Sequence, residues 1–357
     1  MHIDLTNSYV GYISLLIFFL AYAFVMLEEF THLRKSKPVI ISAALIWGLI
    51  AYYYSVHFKG SQDEVEYALE HNILEFSELF LFLLAAMTYI NALEERNVFN
   101  FIRYKLVSRG FNFRQLFILT GIITFFLSPI ADNLTTALVM CSVLLACGKG
   151  NSKFLSLGCI NIVVAANAGG AFSPFGDITT LMVWQAGIVD FLNFFNLFIP
   201  SVVNYLIPAS IMYFFIPKDK PSVSSEIVIM KRGAKVIIFL GLLTIFFAIN
   251  FHNILHLPPF LGMMFGLGLL GVYSFYLKIS FNKKHDDNKF DFLKKVSRAE
   301  WDTLLFFFGV ILSVGGLGFI GYLTFVSQLL YIDLGPTYAN FIVGILSAIV
   351  DNIPVMF

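Results

Sequence analysis

Charge is what this chain has least of. Only 13% of its 357 residues are Asp, Glu, Lys or Arg, against about a quarter in soluble globular proteins. From Gln115 to Gly148 there is no Lys or Arg at all. So little charge cannot cover a water-facing surface, which excludes a soluble globular protein. Cysteine is equally scarce. Cys141, Cys147 and Cys159 fall in apolar stretches with no CxxC pair, so no disulfide or metal framework is implied and the three read as small buried hydrophobes. The start, MHIDLTNSYV, lacks the basic flank and small-residue cleavage site of a secretory signal, and the apolar run at about 9–27 is read as a span that stays. The histidines (His2, His32, His57, His71, His252, His256, His285) are expected at loops or ends, as incidental surface groups. No aromatic-rich soluble module accompanies the basic clusters, which removes nucleic acid from the partners.

What is present is apolar. Hydrophobic residues make up 58% of the chain, 41 of them Phe, and the mean hydropathy is +0.81. The intervals without Lys or Arg exceed the roughly 20 residues that cross a bilayer core, so several spans are implied. The fold class is an all-α polytopic membrane protein whose partner is the lipid bilayer.

Formal net charge is zero, yet the 23 basic residues are placed unevenly, all of them between apolar segments. With the N-terminus outside and crossings at about 9–27, 38–56 and 74–93, residues 94–114 lie inside. If 115–148 enters and returns, 154–188 crosses once, and 194–216, 236–250, 258–277 and 301–321 follow, every basic residue but Lys59 lands inside, 22 against 1. The positive-inside rule favours that arrangement. A single crossing at 115–148 leaves 8 against 15; pairing it with two crossings at 154–188 gives 20 against 3. Helix length decides between the survivors, because a helix through all of 115–148 would be about 51 Å long, too long for one span. The chain divides accordingly into N-terminal spans (1–114), a first hairpin and broken helix (115–188), later spans (194–321) and the start of a second hairpin (338–357). The basic 278–300 segment is expected to be a solvated loop touching anionic lipid.

The hairpin arms, near 115–130 and 134–148, come to about 22 Å each, short of the roughly 30 Å core. Its tip therefore stops inside the membrane, with Pro129 helping to end the first arm and Asp132–Asn133 suiting the turn and the N-cap of the second. An intramembrane carboxylate is expensive, and Asp132 is functional by default. The stretch AANAGGAFSPFGDITTLMVW (165–184) repeats the device. Gly169, Gly170, Pro174 and Gly176 interrupt a span, and Asp177 heads its second half. Its oxygens, with those of Asn167, Ser173, Thr179 and Thr180 and carbonyls freed at the break, suit a small hard cation. Capping alone is the structural alternative at both aspartates.

LSPIADNL (127–134) and LSAIVDNI (346–353) align without a gap, matching Ser128 with Ser347, Asp132 with Asp351 and Asn133 with Asn352. Five crossings separate the copies in this topology, so they enter from opposite faces as inverted repeats. Carboxylates in an apolar pocket hold protons tightly, and a cation needing the same oxygens competes with those protons, so exchange follows. Na⁺ prefers carboxylate, hydroxyl, amide and carbonyl oxygens, which are the groups gathered here. Asp132, Asp177 and Asp351 titrate as a coupled set.

SELFLFLLAAMTYINALEERNVF (77–99), SPIADNLTTALVM (128–140), NAGGAFSPFGDITTLMVWQAG (167–187) and VDNIPV (350–355) resemble NhaD-type sodium/proton antiporters of the ion transporter superfamily, relatives of the arsenite permeases. The resemblance implies a non-enzymatic exchanger of the cytoplasmic membrane, expelling Na⁺ or Li⁺ against protons, without a cofactor, with two re-entrant hairpins and two broken helices. It implies a binding region at Asp132, Asn133, Thr135, Asn167, Asp177, Thr179, Asp351 and Asn352, with Glu78 as a buried carboxylate of the preceding span, and it is compatible with a homodimer. Members of that family continue beyond the second hairpin tip, so Phe357 is expected to fall short of a full transporter's end. Two rivals are weaker. An anion or metalloid permease would meet an acid cluster with no Lys or Arg in any apolar segment, and an intramembrane aspartic protease lacks its Gly-x-Gly-Asp pattern.

Overall fold

A computed structural model describes residues 4–58, 62–148, 151–220, 227–280 and 290–347. The elements are α1 (Tyr9–Met26), α2 (Glu28–Thr31), α3 (Ser36–His57), α4 (Gln62–Glu95), α5 (Val98–Val107), α6 (Phe113–Ala131), α7 (Asn133–Cys147), α8 (Ser152–Gly170), α9 (Ile178–Gln185), a 3₁₀ turn (Phe191–Leu197) running into α10 (Phe198–Tyr213), α11 (Ala234–Asn253), α12 (Pro259–Ser280), α13 (Phe292–Val296), α14 (Trp301–Ile320), α15 (Tyr322–Ser327) with a π turn behind it, and α16 (Pro336–Ser347). Among the described residues there is no strand, and nine helical segments are long and apolar enough to cross a bilayer. The chain is a polytopic helical membrane protein.

One compact unit comprises residues 1–80 and 300–357. In its described part α14 is the central helix, packed on α3 with α1 beside both. Gly309 lets the backbone of α14 approach that of α3 at Val39. The Trp47 indole donates to the Leu312 carbonyl at 2.8 Å and the Ser313 hydroxyl to Ser42 at 3.3 Å. Small residues and hydroxyls hold these helices because, between helices in lipid, close packing and hydrogen bonds replace the hydrophobic effect.

The second unit, residues 81–299, is built around α6, α7 and α8, with α10 on α8 and α11 paired with α12. The Phe113 and Phe154 rings lie 4.4 Å apart and Gly148 abuts Leu155, so α6 begins and α7 ends at the same end of α8. The stretch 113–147 is therefore a helical hairpin. Its first arm is longer than the sequence suggests. An Asn112–Gln115 capping box starts α6 at Phe113, and the helix runs through Pro129 to Ala131, about 28 Å at 1.5 Å per residue. Pro129 does not end the arm; Asp132 does. Its φ of 53° with ψ of 159° is a conformation almost restricted to glycine. Pro129 only withdraws the donor that the Phe125 carbonyl would have had, and Gly169 of α8 packs directly onto that carbonyl.

Other expectations change as well. The span at 74–93 is part of the 34-residue α4, which stays unbroken because its first turns are polar and need not lie in lipid. That extension carries His71 inside a helix rather than in a loop, 3.5 Å from Glu75. Residues 290–299 are not simply a solvated loop. Phe290 and Lys295 are buried, Lys295 pairs with Glu95 of α4, and the Arg96 guanidinium covers the Phe290 ring at 4.7 Å. A lysine stem and a ring bury readily once a carboxylate neutralises the head. Burial pulls both cations below their ordinary pKa; at Lys295 the charge of Arg298 adds to this and Glu94 opposes it. Cys141 and Cys159 are free and half-buried, and the side chain of Cys147 lies outside the described residues.

A methyl group at position 169 collides with the Phe125 backbone, whereas Gly268 of α12 has open space around it. Gly169→Ala is expected to destabilise by about 1–3 kcal/mol and Gly268→Ala to be neutral or stabilising by up to about 1 kcal/mol. Thermal unfolding of both variants in detergent measures the difference.

Candidate functional site

The 154–188 interval is a broken helix, as its glycines suggest. α8 stops at Gly170, residues 171–177 form a turn, and α9 starts at Ile178. The turn doubles back until Gly170 and Gly176 touch backbone to backbone, leaving no room for a side chain at either. Two helices therefore start within this region, α7 and α9. Each exposes N–H groups that nothing in the helix can satisfy. An aspartate caps each: Asp132 accepts from the Thr135 N–H at 2.8 Å and the Thr135 hydroxyl at 2.8 Å, and Asp177 accepts from the N–H and hydroxyl of Thr179, both at 3.0 Å.

Asn133 joins the two starts. Its amide nitrogen donates to Asp177 Oδ2 at 2.6 Å and to Asn167 Oδ1 at 3.1 Å. Hairpin tip, end of α8 and head of α9 are thereby held through three polar side chains. Braces surround them. Ser173 donates to the Pro129 carbonyl at 2.9 Å, closing the end of α6, and Ser128 donates to the Ala166 carbonyl at 2.6 Å. Thr180 donates to the Ser173 and Asp177 carbonyls at 2.9 and 2.8 Å.

Asn133, Asn167 and Asp177 are thus in direct contact; Asp132 and Thr135 close on each other one residue away in the chain; Ser128, Ser173 and Thr180 face carbonyls. Glu78, half-buried on α4, and Ser347, which donates to Gly344 at the end of α16, belong to the other compact unit. Asp351 and Asn352 lie outside the described residues. Sequence reasoning missed four fully or nearly buried polar side chains, Thr120, Thr124, Asn161 and Tyr205. Thr120 and Thr124 had a signal in the four-residue spacing 120, 124, 128, 132, whereas Asn161 and Tyr205 had none.

The gathered oxygens are two carboxylates, amide carbonyls and hydroxyls, which suit a hard monovalent or divalent cation and not a soft one. Among the described residues no cluster of three His, Cys, Asp or Glu side chains forms a metal centre, so amide and hydroxyl oxygens would have to complete any coordination. Helix N-termini add a positive potential at both carboxylates.

Removing the Asn133 amide leaves an Asp177 oxygen without its donor, at a cost of about 1–3 kcal/mol. Asn133→Leu is expected to lower the unfolding midpoint in detergent accordingly, and Ser142→Ala, at an exposed position of α7, to leave it unchanged.

Residues 13–357 match the family described as citrate transporter, CitMHS. Among curated proteins the chain is similar to the Na(+)/H(+) antiporter NhaD of Vibrio cholerae, 53% identical over 99% of this chain and 78% of that protein. It is 52% identical to the Na(+)/H(+) antiporter NhaD of Alkalimonas amylolytica, over 99% of this chain and 77% of that one. Similarity extends to sodium/proton antiporter 1 of Arabidopsis thaliana, 31% identical over 96% of this chain and 58% of the relative. With two capped helix starts joined by Asn133 inside a helical membrane fold and with these matches along nearly its whole length, the chain belongs to the NhaD family within the citrate transporter group.

Proposed function

We propose that this chain is a secondary active antiporter that extrudes Na⁺, or Li⁺, in exchange for protons by alternating access. The observation that carries the reading is the junction at Asn133, where Asp177, Asn167 and the Asp132-capped tip of the hairpin meet. Na⁺ and protons compete for the same carboxylate oxygens, because an intramembrane carboxylate is costly unless neutralised by one or the other. If the site changes its exposed face only when loaded, the downhill entry of one ion drives the exit of the other. Asp132 and Asp177 supply the carboxylates of the Na⁺ site in this reading, assisted by Asn133, Thr135, Asn167, Ser173, Thr179 and Thr180, with Ser128 supporting. The similar proteins named as Na(+)/H(+) antiporters support it.

The family description names citrate, which would require an anion here. The junction argues against one. The carboxylates of Asp132 and Asp177 repel a polycarboxylate, and helix dipoles alone do not compensate.

We place the protein in the cytoplasmic membrane, N-terminus outside and basic loops inside, with 128–133 and 347–352 as an inverted sequence repeat. The charge tally and the repeated Ser-x-Ile-x-Asp-Asn skeleton support this arrangement. Single cysteines at Gly150 and Pro336, in a background lacking the native cysteines, are expected to react with impermeant reagents from the cytoplasmic and the external side respectively. Reaction of both from one side would overturn the inverted repeat.

Transport is tested in everted vesicles holding the full chain, where added Na⁺ is expected to collapse a preformed proton gradient. Asp132→Asn preserves an N-cap about as good as Asp but removes the charge, so it is expected to insert normally and to show no Na⁺-dependent proton movement. Asp132→Glu is expected to retain residual exchange with a weaker apparent Na⁺ affinity. Normal exchange by the Asn variant at every pH would make Asp132 a cap alone, and a wild-type response confined to citrate would replace the antiporter reading with the anion one.

A further inference from the structure

Thr120, Thr124 and Ser128 occupy successive turns of α6, and the fourth position of the series is Asp132. At 1.5 Å per residue the rungs are about 6 Å apart. All three hydroxyls are fully buried, as is Asn161 of α8, which meets α6 at Phe117 and Gly121. Serines and threonines commonly turn back onto their own helix, so the row by itself would be unremarkable packing. Its donor inventory is not. Thr120 gives its proton to the Leu116 carbonyl at 2.7 Å, Thr124 to Thr120 at 2.7 Å and Ser128 to Ala166 at 2.6 Å. Asn161 gives an amide proton to the Phe117 carbonyl at 3.0 Å. Those donors spent, the row offers lone pairs, and the Asn161 side-chain oxygen, wholly buried, has no hydrogen-bond partner among the described residues.

A fully buried acceptor without a partner among the described residues can accept from water or coordinate a cation. A row of neutral acceptors that ends at a carboxylate suits a species that is positive or donates hydrogen bonds, and does not suit an anion. The Tyr205 hydroxyl and the Asn161 amide nitrogen both lie over Gly121, where any side chain would collide with them. The partner-less oxygen therefore sits between the Phe113 end of α6 and the site, not at the site itself.

We propose that the α6 row is the leg of the ion path between Asp132 and the Phe113 end of α6, hydrated in one transport state and traversed by Na⁺ or hydronium. Thr124 and Asn161 act there as positioning residues that substitute for part of a cation's water shell. The proposal rests on the antiporter reading for which ions travel, but its geometric content is tested separately.

The test uses the full chain in everted vesicles with Cys141, Cys147 and Cys159 replaced by alanine. A cysteine at Thr124 is expected to react with a small cationic thiosulfonate about tenfold faster than with an anionic one, since a neighbouring carboxylate enriches cations in a narrow path, and Na⁺ is expected to slow the reaction. A cysteine at Ile122, exposed on α6, is the lipid-facing control. Reaction at 124 no faster than at 122, or without preference for the cation, overturns the proposal. In transport, Thr124→Val is expected to lower the maximal exchange rate about tenfold while shifting half-saturating Na⁺ by less than about twofold, and Thr124→Ser to restore the rate, as for a group that acts on passage and not on uniform binding. Full-rate exchange by Thr124→Val overturns it too. A wild type that moves no protons on Na⁺ addition defeats the antiporter reading instead, and leaves the labelling result to decide whether the row is a path.

Discussion

A helix that starts within a packed helical bundle must find partners for its first N–H groups in the protein itself, and much of the second unit follows from that constraint. α7 and α9 both start this way, and both solve it with an aspartate followed two or three residues later by a threonine. Neutral serine would cap as well. The charge adds something a cap does not need, and it brings a cost that only a proton, a cation or a dense set of donors can offset. At Asp132 the backbone itself is held in a region nearly reserved for glycine, a strain of about 1–3 kcal/mol that persists only where surrounding contacts over-determine it. Asn133, bound to Asp177 and Asn167, supplies those contacts.

Close packing makes the junction possible. Gly169 lets α8 meet α6 at the Phe125 carbonyl, Gly170 and Gly176 let the break fold on itself, and Gly121 lets the Asn161 amide and the Tyr205 hydroxyl pack directly on α6. A cluster of Phe125, Phe172 and Tyr205 fills the gaps around them. Rigid surroundings of this kind hold polar side chains within the few tenths of an ångström that ion coordination requires. Away from the junction, Lys295, Glu95 and Arg96 tie the short helix α13 to the end of α4. The tie depends on a buried ion pair, where losing either partner is costly.

Much of this was legible in the residues. The hairpin showed in an acid placed within a long uncharged interval, and the broken helix in three glycines and a proline before Asp177. Span positions followed from hydropathy and the placement of lysine and arginine. The failures have physical causes. Pro129 reads as a helix stop, yet one lost hydrogen bond is tolerable where the freed carbonyl is covered, here by Gly169. Phe290 and Lys295 look like loop residues because burial of a lysine depends on Glu95, about 200 positions away in the chain. The hydroxyl row on α6 has a clear spacing, but which protons are spent depends on carbonyls of α6 and α8 that no spacing reveals.

By itself, then, the sequence determined the class of solvent, the number and order of apolar segments, the interruptions and the residues able to bear charge at them. These depend on local composition, because the transfer of a segment into lipid is a sum over its own side chains and backbone. Tertiary structure decided that Asn133 reaches Asp177 across 44 positions while Asp132 turns to its own helix, and that Asn161 keeps an oxygen without a partner among the described residues. Hydrogen bonds need donor and acceptor within about 3 Å and in line, and only packed backbones set such distances.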